Sequence, residues 1–177
     1  MKKLTHQQLV DRLPVPGDEP VSRIPVIGML ENIRSLYNVG SIFRTSDGAL
    51  VRKLLLCGFT PAPPRKEIDK TSLGAVRTVP WESFRDPLEG IRIARSEGNR
   101  ICVLEQTSES RPYSSLSKSD FPLCLVVGNE LTGVSAEVVR EADVAIEIPM
   151  FGAKQSLNVA VAYGIALFEL ARVWRNT

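Results

Sequence analysis

Three short segments of this 177-residue chain hold the residue types that could do chemistry. In residues 31–50 (ENIRSLYNVGSIFRTSDGAL), helical spacing gathers Arg44 with Gly40, Ser41 and Gly48 on one face, opposite a mostly apolar face of Val39, Ile42, Phe43, Ser46, Ala49 and Leu50. A glycine inside a helix costs roughly 1 kcal/mol relative to alanine. The pattern therefore asks for a close neighbour around Arg44, whether another backbone, a second subunit or a ligand; a plain surface arginine explains Arg44 but not the glycines. In residues 123–135 (LCLVVGNELTGVS), an apolar strand runs into Gly128, Asn129 and Glu130, then Gly133 and a helix capped near Ser135. That is the strand–glycine turn–helix layout of a ligand loop, although glycines at a strand end also serve plain turns. Residues 148–162 (IPMFGAKQSLNVAVA) read as a strand stopped at Pro149, a loop holding Gly152, and a helix opening at Ser156, Leu157 and Asn158. From Val159 to Trp174 that helix is apolar on nearly all sides, so burial all round is expected. Its polar first turn would then aim free N–H groups inward, and Ser156 and Asn158 could equally be helix caps.

Composition narrows the chemistry further. The single histidine, His6, lies near the N-terminus, which argues against a histidine triad or a zinc site. Cys57, Cys102 and Cys124 sit in apolar runs without metal spacing and read as buried small hydrophobes. GxxxxGK[ST] is absent, because Val134 follows Gly133, and GxGxxG is absent too, which argues against a nucleotide phosphate clamp. What remains is Arg, Lys, Asp, Glu, Asn, Ser or a cofactor. No apolar run reaches the roughly 20 residues of a membrane helix, and MKKLTHQQLVDR lacks the apolar core of a signal peptide, so a cytoplasmic location is expected. Net charge is +2, but residues 34–77 carry eight Lys/Arg against three acids, a local +5. Such a basic surface suits either a polyanion or plain solvation.

The elements that must position these residues alternate. Thr5 with Gln8 three residues on forms a capping-box signature for a short helix over about 5–13, and the prolines and glycine of 14–25 read as an extended linker. Strands are expected at 26–30, 53–57, 101–104, 123–127 and 144–148. Helices are expected at 39–50 with Asn38 as N-cap, at 67–75, 87–97, 135–141 and 156–174. This alternation predicts an α/β fold with a mainly parallel sheet and helices on both faces.

Taken together and in this order, the three segments resemble the three motifs of the SpoU-type (TrmH family) RNA 2′-O-ribose methyltransferases of the SPOUT superfamily. The residues that carry the resemblance are Asn38, Gly40, Arg44 and Gly48; Val127, Gly128, Asn129, Glu130 and Gly133; and Ile148, Pro149, Met150, Gly152, Ser156, Leu157, Asn158, Val159 and Ala162. Residues 70–75 (KTSLGA) and 79–81 (VPW) are similar to that family as well, and the resemblance covers about residues 24–174. Two features depart from the family pattern: Gln155 stands where a glutamate is common, and residues 1–23 match no standard RNA-binding appendage.

The resemblance implies more than periodicity can. Residues 24–177 would form the methyltransferase domain, its C-terminal part a deep trefoil knot, behind an N-terminal helix and linker at 1–23. The cofactor would be S-adenosylmethionine, held among three loops: Leu104, Glu105 and Gln106; Gly128 and Asn129; and Ile148, Met150, Ser156 and Leu157. Backbone groups near Gly128, Ile148 and Leu157 would read its two ends, with Ile148, Met150 and Leu157 packing its rings. The enzyme would methylate a ribose 2′-hydroxyl in tRNA or rRNA, with tRNA slightly favoured, as a homodimer whose active site lies at the subunit interface, and without a metal. Arg44 would be the principal catalytic residue; a guanidinium is a poor base at neutral pH but a good bidentate phosphate clamp. Asn38, Glu130, Ser156 and Asn158 would position the ribose, the loops and the dimer contact. The alternative is a non-enzymatic RNA-binding protein on a degenerate version of the same fold.

Overall fold

The structure, a computed structural model, describes residues 1–12 and 22–176. In chain order the elements are α1 (His6–Val10), β1 (Ile24–Glu31), α2 (Leu36–Ala49), β2 (Val51–Cys57), α3 (Lys66–Ser72), β3 (Trp81–Phe84), α4 (Pro87–Ser96), β4 (Arg100–Leu104), β5 (Arg111–Pro112), β6 (Leu123–Val127), α5 (Ala136–Arg140), β7 (Val144–Glu147) and α6 (Val159–Arg175). The strands make one sheet in the order β3-β2-β1-β6-β4-β7-β5, and every pairing between them is parallel. This is the expected α/β layout. The central strands β1 and β6 are nearly unbroken apolar runs because both faces of the sheet are covered. Val26 and Leu30 of β1 pack with Ile42 and Phe43 of α2 and Leu167 and Leu170 of α6, while Ile27 and Met29 pack with Ile91 of α4 and Val138 of α5. The parallel direction sends all C-terminal strand ends to one edge, where an open α/β sheet offers its ligand crevice.

The Thr5 capping box forms as expected, while the linker reading falls mostly on residues outside the described ones. Two edge strands escape an apolar pattern: β3 (WESF) is half polar and pairs only with β2, and β5 is two residues long. Helix α2 begins earlier than the expected 39–50. Its N-cap is Ser35, whose hydroxyl accepts the Asn38 N–H at 3.3 Å, so Asn38 lies in the first turn and its side chain is free for other work. Helix α6 begins at Val159, not Ser156. Asn158 is its cap, its side-chain oxygen accepting the N–H groups of Ala160 (3.0 Å) and Val161 (3.3 Å), and Ser156 and Leu157 precede the helix.

The expectation that the last helix is buried all round is corrected as well. Tyr163, Ala166, Leu167, Leu170 and Ala171 face the core, but Val161, Ile165 and Phe168 form an apolar stripe 52%, 36% and 53% exposed on this chain. The three cysteines are buried, and burial pushes the Cys57 and Cys102 thiols up to about 12 and the Cys124 thiol up too, which removes them as nucleophiles at neutral pH. No helix among the described residues is long and apolar enough to cross a membrane.

Candidate functional site

A cleft of about 390 Å³ opens at the C-terminal ends of the neighbouring strands β6, β4 and β7. Its walls are the three loops that leave those strands. In chain order, Leu104, Glu105 and Gln106 come from the first loop, after β4; Gly128, Asn129, Glu130 and Gly133 from the second, after β6; Ile148, Met150, Ser156, Leu157 and Asn158 from the third, after β7. The second loop turns back tightly on itself. Asn129 and Gly133 exchange backbone hydrogen bonds at 3.0 and 2.9 Å, Gly133 has φ +69°, and a Cβ on Gly128 would overlap the Gly133 carbonyl carbon and the Val134 nitrogen. Only a residue without a side chain lets the two strands of this turn meet. Glu105 fastens the turn from the first loop, its carboxylate accepting the Val134 N–H at 2.9 Å. Gln106 reaches the third loop, its side-chain N–H donating to the Gln155 carbonyl at 2.6 Å.

One carboxylate ties the segments of chemical interest together. Glu130 accepts the backbone N–H groups of Arg34 (2.9 Å) and Ser35 (3.0 Å) at the start of α2, and the Asn38 side-chain N–H at 2.9 Å. Asn38 in turn accepts the Asn158 side-chain N–H at 3.1 Å. An anion at a helix N-terminus meets unpaired N–H donors and the favourable end of the helix dipole. Asn129 adds a further link, its side chain donating to the Asn32 carbonyl at 2.8 Å. Partial burial works to raise the Glu130 pKa, but the N–H groups of Arg34 and Ser35 and the Asn38 amide outweigh it and hold the carboxyl below its ordinary value of 4.5. A lowered carboxyl contributes stability that is complete above its unfolded pKa and is lost as pH falls through the folded value. Thermal midpoints recorded from neutral pH down through and below pH 4.5 should therefore fall less steeply in Glu130→Gln than in the wild type. An identical acid limb in both would contradict this role.

Of the residues singled out from sequence, Leu104, Glu105, Gln106, Gly128, Asn129, Glu130, Ile148, Met150, Ser156, Leu157 and Asn158 all line this one cleft. Asn38 joins it through Glu130 and Asn158. Arg44 does not line it. It stands exposed on α2, six residues or about 9 Å of helix rise beyond Asn38, and makes no ion pair among the described residues. The neighbour that Gly40 requires is α3, since a Cβ there would overlap the Ile68 carbonyl oxygen and the Thr71 hydroxyl. Gly48 has ordinary room, with a Cβ 3.7 Å from Phe168. Sequence reasoning missed Glu31. It ends β1 as a buried carboxylate, 1% exposed, and accepts the Ser135 N–H at 2.9 Å, which anchors the far end of the second loop. An acid closing an apolar strand was the available signal.

Comparison with known proteins places this geometry. A model of the SpoU rRNA methylase family matches residues 25–168. The tRNA (guanosine(18)-2′-O)-methyltransferase of Aquifex aeolicus is 34% identical over 83% of this chain and 69% of its own length. The 23S rRNA (guanosine-2′-O-)-methyltransferase RlmB of Pectobacterium atrosepticum is 30% identical over 84% of this chain, which spans 60% of that enzyme. Among solved structures, the AdoMet-bound rRNA methyltransferase of Sinorhizobium meliloti superimposes with a TM-score of 0.77 and 33% identity over 83% of this chain and 55% of that one.

Proposed function

The chain belongs to the SpoU rRNA methylase family, and from that premise we propose that it transfers a methyl group from S-adenosylmethionine to a ribose 2′-hydroxyl of tRNA or rRNA. The observation that carries this reading is the cleft into which the loops after β4, β6 and β7 converge, the latter two carrying the second and third motifs, with the Glu130–Asn38–Asn158 chain fixing those two to the first motif on α2. The cleft has the size of a small-molecule site, which spans about 300–1,000 Å³. Gly128 lets the second loop close on Gly133 and Val134, which fixes that wall of the cleft. Ile148, Met150 and Leu157 supply its apolar lining, and Glu105, Asn129 and Ser156 its polar groups. When bound, S-adenosylmethionine supplies an already activated sulfonium methyl, so the protein's share is alignment. Arg44 anchors a phosphate of the target nucleotide through its two-pronged guanidinium and so fixes the hydroxyl on the line of transfer. Asn158 caps α6 and holds Asn38, which places the ribose side of the cleft.

The relatives' guanosine targets make a guanosine ribose the first to test, with tRNA ahead of rRNA. Residues 24–177 form the methyltransferase unit, with residues 1–23 preceding it, and the protein works in the cytoplasm with its RNA. A trefoil knot in the C-terminal part is favoured by the path of α6. That helix returns to pack on α2 and β6, with Trp174 5.4 Å from Phe121 in the segment before β6. A homodimer is favoured by the exposed Val161, Ile165 and Phe168 stripe beside the Gly48 face of α2, a surface that a second copy would cover. It would also bring the cleft of one subunit to Arg44 of the other. Isothermal titration with S-adenosylmethionine tests the reading: micromolar binding is expected, and no binding would leave an RNA-binding protein without catalysis.

A further inference from the structure

Helix α3 ends in an unusual way. Its C-cap, Leu73, has φ 48° and ψ 40°, the left-handed conformation in which glycine is the usual residue, and its side chain is 67% exposed. The backbone gains a cap from it, the Leu73 N–H donating to the Asp69 carbonyl at 3.2 Å as Leu50 caps α2 in the same conformation, but the exposed Leu73 side chain is left facing outward. Two hydrogen bonds fix where the turn lies. The Thr71 hydroxyl donates to the Tyr37 carbonyl at 3.1 Å, and the Thr78 hydroxyl donates to the Asp47 carboxylate at 2.5 Å. The segment after α3 therefore runs along α2 from Tyr37 to Asp47, about 15 Å of helix rise. Arg44 lies within that span on α2, and Leu73, Gly74 and Arg77 lie within it on the facing segment. The Arg77 guanidinium folds against Gly74, where a Cβ would sit 3.1 Å from its Nη2.

The charge around this turn is net basic, although Glu67, Asp69 and Asp47 lie in the same region. Arg44, Arg65, Lys66, Lys70 and Arg77 are all exposed, and none forms an ion pair among the described residues. Elsewhere Lys53, Arg95, Arg100 and Arg172 are paired, while Arg34, Arg85, Arg140, Lys154 and Arg175 are scattered exposed cations without an ion pair among the described residues; five together on α2, α3 and the turn after it form the densest group. An isologous contact would set these unpaired cations against their own copies, whereas a polyanion neutralises them.

We propose that the turn at residues 73–77 is the second wall of the RNA-receiving groove, facing Arg44: Leu73 packs on the target nucleotide, and Lys70 and Arg77 hold the flanking phosphates. This rests on the RNA-methyltransferase reading and adds a specificity surface to it. The test uses Leu73→Gly and Leu73→Asn, both suited to the left-handed backbone, together with a Lys70→Ala/Arg77→Ala double variant of the full chain. Both Leu73 variants should match or exceed wild-type thermal stability and keep the S-adenosylmethionine affinity and light-scattering mass. Their kcat/KM for RNA should fall about tenfold or more, an interaction lost with the substrate alone. The double variant should flatten the dependence of log kcat/KM on log salt by about one unit per cation removed. Wild-type kcat/KM in both Leu73 variants, an unchanged salt slope, or a drop in mass that makes Leu73 a subunit contact would overturn the inference. Failure of the wild-type protein itself to methylate RNA would instead overturn the reading beneath it.

Discussion

Arg44→Ala leaves S-adenosylmethionine binding intact and lowers methyl transfer by at least about 10²-fold, the scale of losing one preorganised donor at a reacting centre. Two features separate the two readouts. Arg44 is exposed on α2 and lies outside the cleft lined by the three loops, so its truncation leaves the cofactor walls in place. It also makes no ion pair among the described residues, and alanine is a better helix former, so α2 and the Glu130 contacts at its start should persist. Arg44→Lys should recover only part of the rate, because an ammonium keeps the charge but loses the planar fork. Single-turnover transfer measured beside a cofactor titration checks this, and normal transfer by Arg44→Ala would remove the residue from the mechanism.

Gly128→Ala should act in the opposite sense, losing the cofactor first. The added Cβ meets the Gly133 carbonyl carbon and the Val134 nitrogen, which are backbone atoms of a turn pinned by the Asn129–Gly133 bonds and by Glu105. No flexible side chain is there to yield, so the turn must open. Overpacking of this kind costs about 1–3 kcal/mol, and each 1.4 kcal/mol is about a tenfold change in an equilibrium constant. The thermal midpoint should therefore fall, and because the opened turn no longer presents its wall to the cleft, S-adenosylmethionine affinity should fall about tenfold or more. At Gly152 in the third loop a Cβ would meet nothing within 4 Å, so Gly152→Ala should keep the wild-type midpoint. Equal cofactor affinity in Gly128→Ala and wild type would mean that this loop is not the cofactor cradle.

Much of the architecture was legible because burial on both faces of a parallel sheet writes long apolar runs, as at IPVIGML and LCLVV. Strand β3 was not, because an edge strand can keep Glu82 and Ser83 exposed. The starts of α2 and α6 were each misplaced by three residues for one physical reason. Ser35 and Asn38, like Ser156 and Asn158, are both able to cap, and only the hydrogen bonds decide between them. Most residues that line the cleft were legible through the second and third family motifs, and Leu104, Glu105 and Gln106 only as a loop the resemblance implied. The links that hold it together were not, since Glu130 meets Arg34 across 96 positions and Glu31 meets Ser135 across 104. The stripe of α6 shows a different limit. An apolar helix face in a sequence does not say whether its own chain or another covers it. Leu73 shows the same for backbone conformation, because leucine is an ordinary helix former and nothing in KTSLGA marks its left-handed turn.

The most direct measurement is mass spectrometry of the nucleosides released from tRNA and rRNA after incubation with the protein and methyl-deuterated S-adenosylmethionine. The expected result is one nucleoside, with guanosine the first candidate, that carries the deuterated methyl on its ribose. Label on a base, or on no nucleoside from either RNA, would contradict the assignment.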